Sequence, residues 1–196
     1  MDSAVQEPQR GSRTDVRLLP VTSDDDRSRF EPGFVAAYRS VFAHPPYQEA
    51  FGPDAVSRHW RCLTTRPEQI SFVAVGPRDE VIGFGIGIPL RHQRDVSMEL
   101  AGLVDVHATF YLAELGVLSR WRGRGLGKAL VRERLTRLDR ERYPSVVLRA
   151  SASRAGNLSL YEAMGFEEMG VHMDVRHLRT DGRVRADRRI ILHNAI

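Results

Sequence analysis

The sequence predicts one α/β domain on a mixed sheet, antiparallel at first and parallel in its middle. Three observations carry this. Strand-like and helix-like stretches follow one another in the order β-α-α-β-β-β-α-β-α-β-β. A glycine-rich turn joins a strand to a helix late in the chain. No internal repeat or linker divides the sequence, and 196 residues at 42% hydrophobic suit a single domain with a real core.

Residues 1–13 are polar, contain Pro8 and Gly11, and show no apolar period. They are expected to form a disordered tail, which leaves 14–196 as the domain. Residues 15–21 alternate Val16 and Leu18 before Pro20 and read as the first strand. Ser23-Asp24-Asp25-Asp26 is a helix-start signal, with acids at the positive end. Proline fits only the first turn of a helix, so the main first helix is expected from about Pro32. Its apolar face would be Phe34, Val35, Tyr38 and Val41 or Phe42. His44-Pro45-Pro46-Tyr47 ends it. Asp54 is expected to cap a second helix with Val56, His59, Trp60 and Leu63 at helical spacing.

Ile70–Val75 and residues 81–90 read as strands around the turn Pro77-Arg78-Asp79-Glu80. Gly83, Gly85 and Gly87 alternate, so they share one face. Such a face admits a ligand or another backbone; a bulge or tight helix packing is the more ordinary cause. Residues 91–106 read as a charged loop and 107–118 as the fourth strand. The helix after the glycine turn should run from 125 to about 142, burying Leu126, Leu130, Val131, Leu135 and Leu138. Glu133 stands one turn ahead of Arg137, a stabilising spacing. Residues 145–150 form a β-branched strand. Ser153 should cap a short helix that stops at Gly165. Residues 166–175 and 187–193 close the chain as antiparallel strands around Asp181-Gly182.

The net charge is +4, and Lys128 is the one lysine. The arginines interleave with acids, as in Arg132-Glu133-Arg134, which marks solvated helix faces and argues against a nucleic-acid stripe. No apolar run has the length of a membrane span and no signal-peptide core is present, so a cytoplasmic protein is expected, with no membrane partner. Cys62, the single cysteine, sits beside Trp60 and is expected to be an inert packed thiol.

The glycine turn runs Leu115-Gly116-Val117-Leu118-Ser119-Arg120-Trp121-Arg122-Gly123-Arg124-Gly125-Leu126-Gly127-Lys128. Glycines free backbone N–H groups to point outward, and the following helix sets its positive end beneath them. That is an anion site, most often for phosphate. A Walker loop is excluded, because Gly127-Lys128 is followed by Ala129 and the first glycine would fall on Arg122. A dinucleotide fingerprint is excluded by the GxGxG spacing and the late position.

What fits is Arg122-x-x-Gly125-x-Gly127. It resembles the R/Q-x-x-G-x-G/A pyrophosphate loop of the GCN5-related N-acetyltransferases (GNAT), which use acetyl-CoA. Downstream, Asn157-Leu158-Ser159-Leu160-Tyr161-Glu162-Ala163-Met164-Gly165-Phe166 resembles the family's A-x-x-LYE-x-x-GF ending. Two motifs in the right order, with the matching element order, extend the resemblance over about 14–196.

The resemblance implies a mostly antiparallel sheet whose central parallel strands splay apart. Pantetheine inserts there like a strand. It implies that the backbones of Leu115, Gly116 and Val117 pair with pantetheine, and that Arg122, Gly123, Arg124, Gly125, Leu126, Gly127 and Lys128 wrap the pyrophosphate. It also implies an acetyl-CoA cosubstrate, no metal, an amine acceptor that is a small molecule or a peptide, and a monomer or homodimer. Tyr161 matches the general acid that protonates the leaving thiolate; a phenol of pKa about 10 suits a thiol of about 8.5. Its structural alternative is a tyrosine packed between helix and sheet. Many members carry an asparagine seven residues ahead of this tyrosine; here that position is Arg154, and Asn157 is the candidate substitute.

A base must take the amine's proton. One branch of the family uses a fifth-strand glutamate, but the matching position is Arg149. Glu114, in an apolar strand after His107 and Tyr111, is the best carboxylate; it needs either a task or a partner such as an arginine. From element order, His44, Tyr47, Phe51 and Trp60 would wall the acceptor site, and Glu49, Glu99 and Asp105 would suit a polyamine-like or aminoglycoside-like amine.

Overall fold

Seven strands form one sheet: β1 (Arg17–Pro20), β2 (Ile70–Val75), β3 (Val81–Pro89), β4 (Thr109–Val117), β5 (Ser145–Ser151), β6 (Glu167–Leu178) and β7 (Val184–Ala195). The structure, a computed structural model, describes residues 16–152 and 158–196. The polar stretch 1–13, Ser153, Arg154 and Asn157 lie outside the described residues. Across the sheet the strands run β1-β2-β3-β4-β5-β7-β6. Among the described residues only β4 and β5 pair in parallel. Among the described residues the α-helices are α1 (Asp24–Ala43), α2 (Pro53–Thr64), α3 (Arg94–Glu99), α4 (Leu126–Thr136) and α5 (Leu158–Glu162). No described helix is long and apolar enough to cross a membrane.

The splay expected from the resemblance is present, and a bulge lies where it begins. β4 pairs with β5 only from Thr109↔Ser145 to Leu112↔Leu148, although both strands continue. On its other side β4 pairs Ile86↔Glu114 and then Ile88↔Tyr111, so it carries one extra residue against β3. A bulge of this kind bends its strand. Here it falls between Tyr111 and Glu114, where the pairing of β4 with β5 ends.

α1 and α2 pack on one face of the sheet, where Phe34 lies 4.5 Å from Trp60 and 4.9 Å from Phe84, ring centre to ring centre. α4 packs on the other face, where Val131, with Leu138 just past the helix, is set against Phe110, Val146 and Leu148. Full burial of side chains of this size stabilises by about 1.5–3 kcal/mol each. The alternating glycines of β3 serve close packing. A Cβ on Gly83 would lie 3.5 Å or less from Gly116 O and Leu130, one on Gly85 would meet Arg134 at 2.9 Å, and one on Gly87 would meet Phe110 at 2.4 Å.

Six expectations need correction. α1 starts at Asp24, behind a Ser23 cap, and runs through Pro32. Asp26 N–H donates to Ser23 Oγ (3.1 Å) and the Asp26 carboxylate accepts from Ser23 N–H (3.0 Å), a capping box. Pro32 is exposed, and the buried stripe Phe30, Phe34, Ala37, Tyr38 and Val41 continues on both sides of it, offsetting its cost of about 3 kcal/mol. α2 is capped by Gly52 with Pro53 leading, so Asp54 lies inside the first turn. Part of the expected charged loop is helix α3, because Val96 and Leu100 there are fully buried. α4 stops at Thr136, well short of 142: Asp139 Oδ1 accepts from the N–H groups of Glu141 and Arg142 and makes a local turn instead. Arg137 caps α4 with its guanidinium over the Phe72 ring, 4.8 Å from its centre. Cys62 is exposed; two residues past buried Trp60, it sits about 200° around the helix. β6 and β7 also extend further than expected toward their turn at Gly182, whose φ is +79°.

Candidate active site

Beyond Leu112 one edge of β4 faces the gap. Leu118 N–H donates to Ile82 O at 2.9 Å, so by strand alternation Gly116 also faces β3. Leu115 and Val117 then turn their N–H and C=O groups into the gap. Val117 O accepts there from Arg122 Nε at 3.0 Å. Gly116 is required by its neighbour: a Cβ would meet Phe84 at 2.2 Å.

The glycine turn lies at the end of this edge. Gly123 and Gly125 have φ of +72° and +81°, values that favour glycine. Ala129 N–H closes the first bond of α4, to Gly125 O at 3.0 Å. The N–H groups of Leu126, Gly127 and Lys128 therefore lack a partner within the helix and project at its positive end. A groove of about 470 Å³ runs past Leu115, Gly116 and Val117 to Arg122, Gly123, Gly125, Leu126, Gly127 and Lys128. Arg124 stacks over Trp121, 4.8 Å from its ring centre. Trp121 also lines the groove, and its buried Nε1 has no hydrogen-bond partner in the protein. An open strand edge, free helix N–H groups and an orphaned indole donor fit an extended, phosphate-bearing molecule such as acetyl-CoA.

A second cavity of about 340 Å³ adjoins the groove, with Tyr47 and Leu115 lining both. Glu114 and Tyr161 both line it. Glu114 finds its partner on α2: His59 Nε2 lies 2.8 Å from Glu114 Oε1. Burial alone would push the imidazole down, but the hydrogen bond and charge of Glu114 more than reverse this and hold it above its ordinary value. Tyr161 is buried on α5. Burial drives its phenol well above the ordinary value, opposed by the positive charge of Arg134, so the proton stays on the oxygen.

Arg134 is itself fully buried on α4, and burial pushes it down to about 10. Its Nη1 donates to Ile86 O (3.0 Å) and Glu114 O (3.1 Å), and its Nε to Leu130 O (3.1 Å). The two strand carbonyls lie at the β4 bulge, where the ladder leaves acceptors over. The guanidinium thus pins the backbone of Glu114.

Of the residues expected around an acceptor, Tyr47, Glu49 and Phe51 line the cavity. Four others stand elsewhere. Trp60 is in the core, and His44 closes α1 with Nδ1 2.6 Å from Ser40 O. Glu99 ends α3, and Asp105 accepts from His107 N–H at 2.9 Å. His107 is exposed ahead of β4, while Tyr111 lines the cavity. Sequence reasoning missed His59, Tyr38, His177 and Arg189 as lining residues. For His59 a signal existed: a histidine on the apolar stripe of α2 needs a polar partner.

A sheet split at its one parallel pair, an anion turn at the end of the split, and a tyrosine and a carboxylate facing one cavity make the architecture of an acyl-transfer enzyme. Comparison with known proteins agrees. The sequence profile of the Acetyltransferase (GNAT) family matches residues 27–166. The mouse protein described as probable N-acetyltransferase family 8 member 5 is 39% identical over 64 residues, a segment covering 33% of this chain and 28% of that protein. Among solved structures, ribosomal-protein-alanine N-acetyltransferase from Brucella melitensis superposes with a TM-score of 0.65 at 17% identity, covering 91% of this chain and 99% of that one. Arabidopsis thaliana NAA60 in complex with acetyl-CoA does so with a TM-score of 0.64 at 17% identity, covering 93% and 99%. The chain belongs to the acetyltransferase (GNAT) family.

Proposed function

We propose that this protein transfers an acetyl group from acetyl-CoA to a primary amine by direct attack, with both reactants bound together and no acyl group resting on the protein. One observation carries the reading: Glu114 and Tyr161 line the same cavity beside the open edge of β4. Leu115, Gly116 and Val117 would pair with the pantetheine arm through their backbones. Residues 122–128 would hold the pyrophosphate, with Asn157 as a further contact. A solved relative of the same fold holds acetyl-CoA, which supports this assignment. The thioester supplies an activated acetyl group.

Glu114 is the base. It accepts the proton of the arriving ammonium, and His59 passes that proton toward solvent, being the more exposed of the two (38% against 14%). Tyr161 is the acid that gives its proton to the departing thiolate. The test is CoA release from purified protein, acetyl-CoA and a panel of amines, beside acetyl-CoA calorimetry. Tyr161→Phe should lower kcat about a hundredfold or more while acetyl-CoA affinity stays within about twofold. Acetyl-CoA binding with no turnover of any amine would instead make the protein a CoA-binding sensor or scaffold.

A further inference from the structure

The cavity that holds Glu114 has walls from two separate segments. One is the loop between α1 and α2, which supplies Tyr47, Glu49 and Phe51; the other is the β6–β7 hairpin, which supplies Val175, His177 and Arg189. These segments are fastened together. Glu49 and Arg179 form an antiparallel bridge, Ala50 N–H donates to Leu178 O (2.8 Å), and Thr180 N–H donates to Gln48 O (2.9 Å). Arg179 also donates to Tyr47 O. An extended peptide acceptor would need backbone groups of this kind to pair with. Here they are spent on each other.

The charges around the cavity are spent as well. Glu49 is 3% exposed, with Arg189 at 2.5 Å and Arg179 at 3.6 Å. Arg149 is held by Asp95 at 2.8 Å, and Glu114 by His59. A polyamine or aminoglycoside would bring several ammonium groups to a chamber with no unpaired carboxylate and with Arg149 and Arg189 in its lining. Desolvating those charges beside guanidinium groups is unfavourable. The remaining wall is apolar and rich in aromatic rings: Tyr38, Phe42, Tyr47, Phe51 and Tyr111. Ring faces attract one ammonium and accept an apolar body beside it. A volume of about 340 Å³ sits at the small end for ligand sites.

From this, and resting on the acetyl-transfer reading above, we infer that the acceptor is a compact monoamine with an aromatic or apolar body, bound between the aromatic wall and the loop–hairpin clasp. CoA release is measured with 2-phenylethylamine, spermidine, kanamycin and a peptide with a free N-terminus, and acetyl-CoA binding by calorimetry in parallel. The expected result is a kcat/KM for 2-phenylethylamine at least about tenfold above each of the other three. Phe51→Ala should raise the KM for 2-phenylethylamine about tenfold with acetyl-CoA affinity unchanged, which also reports that the variant folds. Equal or better turnover of spermidine, kanamycin or the peptide overturns the monoamine assignment and leaves acetyl transfer standing. So does acetyl-CoA binding without turnover of 2-phenylethylamine while another amine reacts. Failure to bind acetyl-CoA, or binding without turnover of any amine, overturns the acetyl-transfer reading and the assignment with it.

Discussion

Glu114 shows at the residue scale how a strand carboxylate is tolerated. Its side chain is held by His59 and its carbonyl by Arg134, so both ends are fixed by helices on opposite faces of the sheet. The pair sets a pH dependence. Glu114 holds the proton on His59 past the ordinary imidazole value of about 6.5. The pair can take a proton from the amine only once His59 is neutral. In the wild type kcat should therefore rise as pH passes above that value, and His59→Gln should abolish this limb; an unchanged pH–rate profile would remove His59 from the relay. The stability sign runs the other way. A raised pKa in the folded state means that the contribution of the pair is complete below about 6.5 and is lost as pH rises through the raised value. A second prediction concerns Arg134 and Gly85. Arg134→Met leaves two strand carbonyls without a donor and should cost about 2 kcal/mol or more in urea unfolding. Gly85→Ala would drive a Cβ to 2.9 Å from Arg134 Nε and should destabilise as well. The double variant should lose less than the two losses added, because the contacts with Cζ and Nη2 go with the guanidinium and the unbonded methionine tip is free to turn away. Sequence alone showed that Glu114 needed either a task or a partner such as an arginine. The actual partner sits 55 residues away, on helix α2, a distance that no local spacing reveals. Arg134 falls on the buried stripe with Leu130 and Leu138, where a charge looks like a defect until Gly85 is set against it.

Among the elements, those with strong local chemistry were legible. β2 lies where its β-branched residues put it, and the hairpin turns at Asp181-Gly182. The loop motif lies between β4 and α4 as its glycines require. Boundaries failed where two local signals competed. At α1 the capping box and a continuous apolar stripe prevailed over Pro32; at α4 the side chain of Asp139 prevailed over helix propensity. The cap gives a direct check: Ser23→Ala should cost about 1 kcal/mol, seen as a lower urea midpoint with an unchanged m value. The glycine turn gives another. Gly125→Ala forces a side chain into φ +81° and should weaken acetyl-CoA binding about tenfold in calorimetry. Gly127→Ala should be tolerated, since its Cβ would meet Leu160 at an ordinary 3.4 Å.

For the whole molecule, legibility was highest for topology and lowest for enclosure. The order of elements was readable because each carries its own period. The clasp was not, because it joins residues 48–50 to 178–180 through backbone groups that every sequence possesses. Acetyl-CoA at a hundred times its Kd should stabilise the fold by about 2.7 kcal/mol, read as a rise in Tm. Hydrogen exchange should slow most at Leu115 and Val117, whose amides face the gap; protection spread evenly over the sheet would contradict pairing there. The short register between β4 and β5 has a mechanical side too. The half-sheet from β1 to β4 and the half-sheet from β5 to β6 are stitched by four residue pairs at one end and tied across the mouth by the clasp. Tension that parts the halves would break those pairs one after another, as in unzipping, and would not load the whole ladder in shear. A molecule lying along the free edge of β4 would act as a splint, so the grip between the two halves of this protein would depend on what it is carrying.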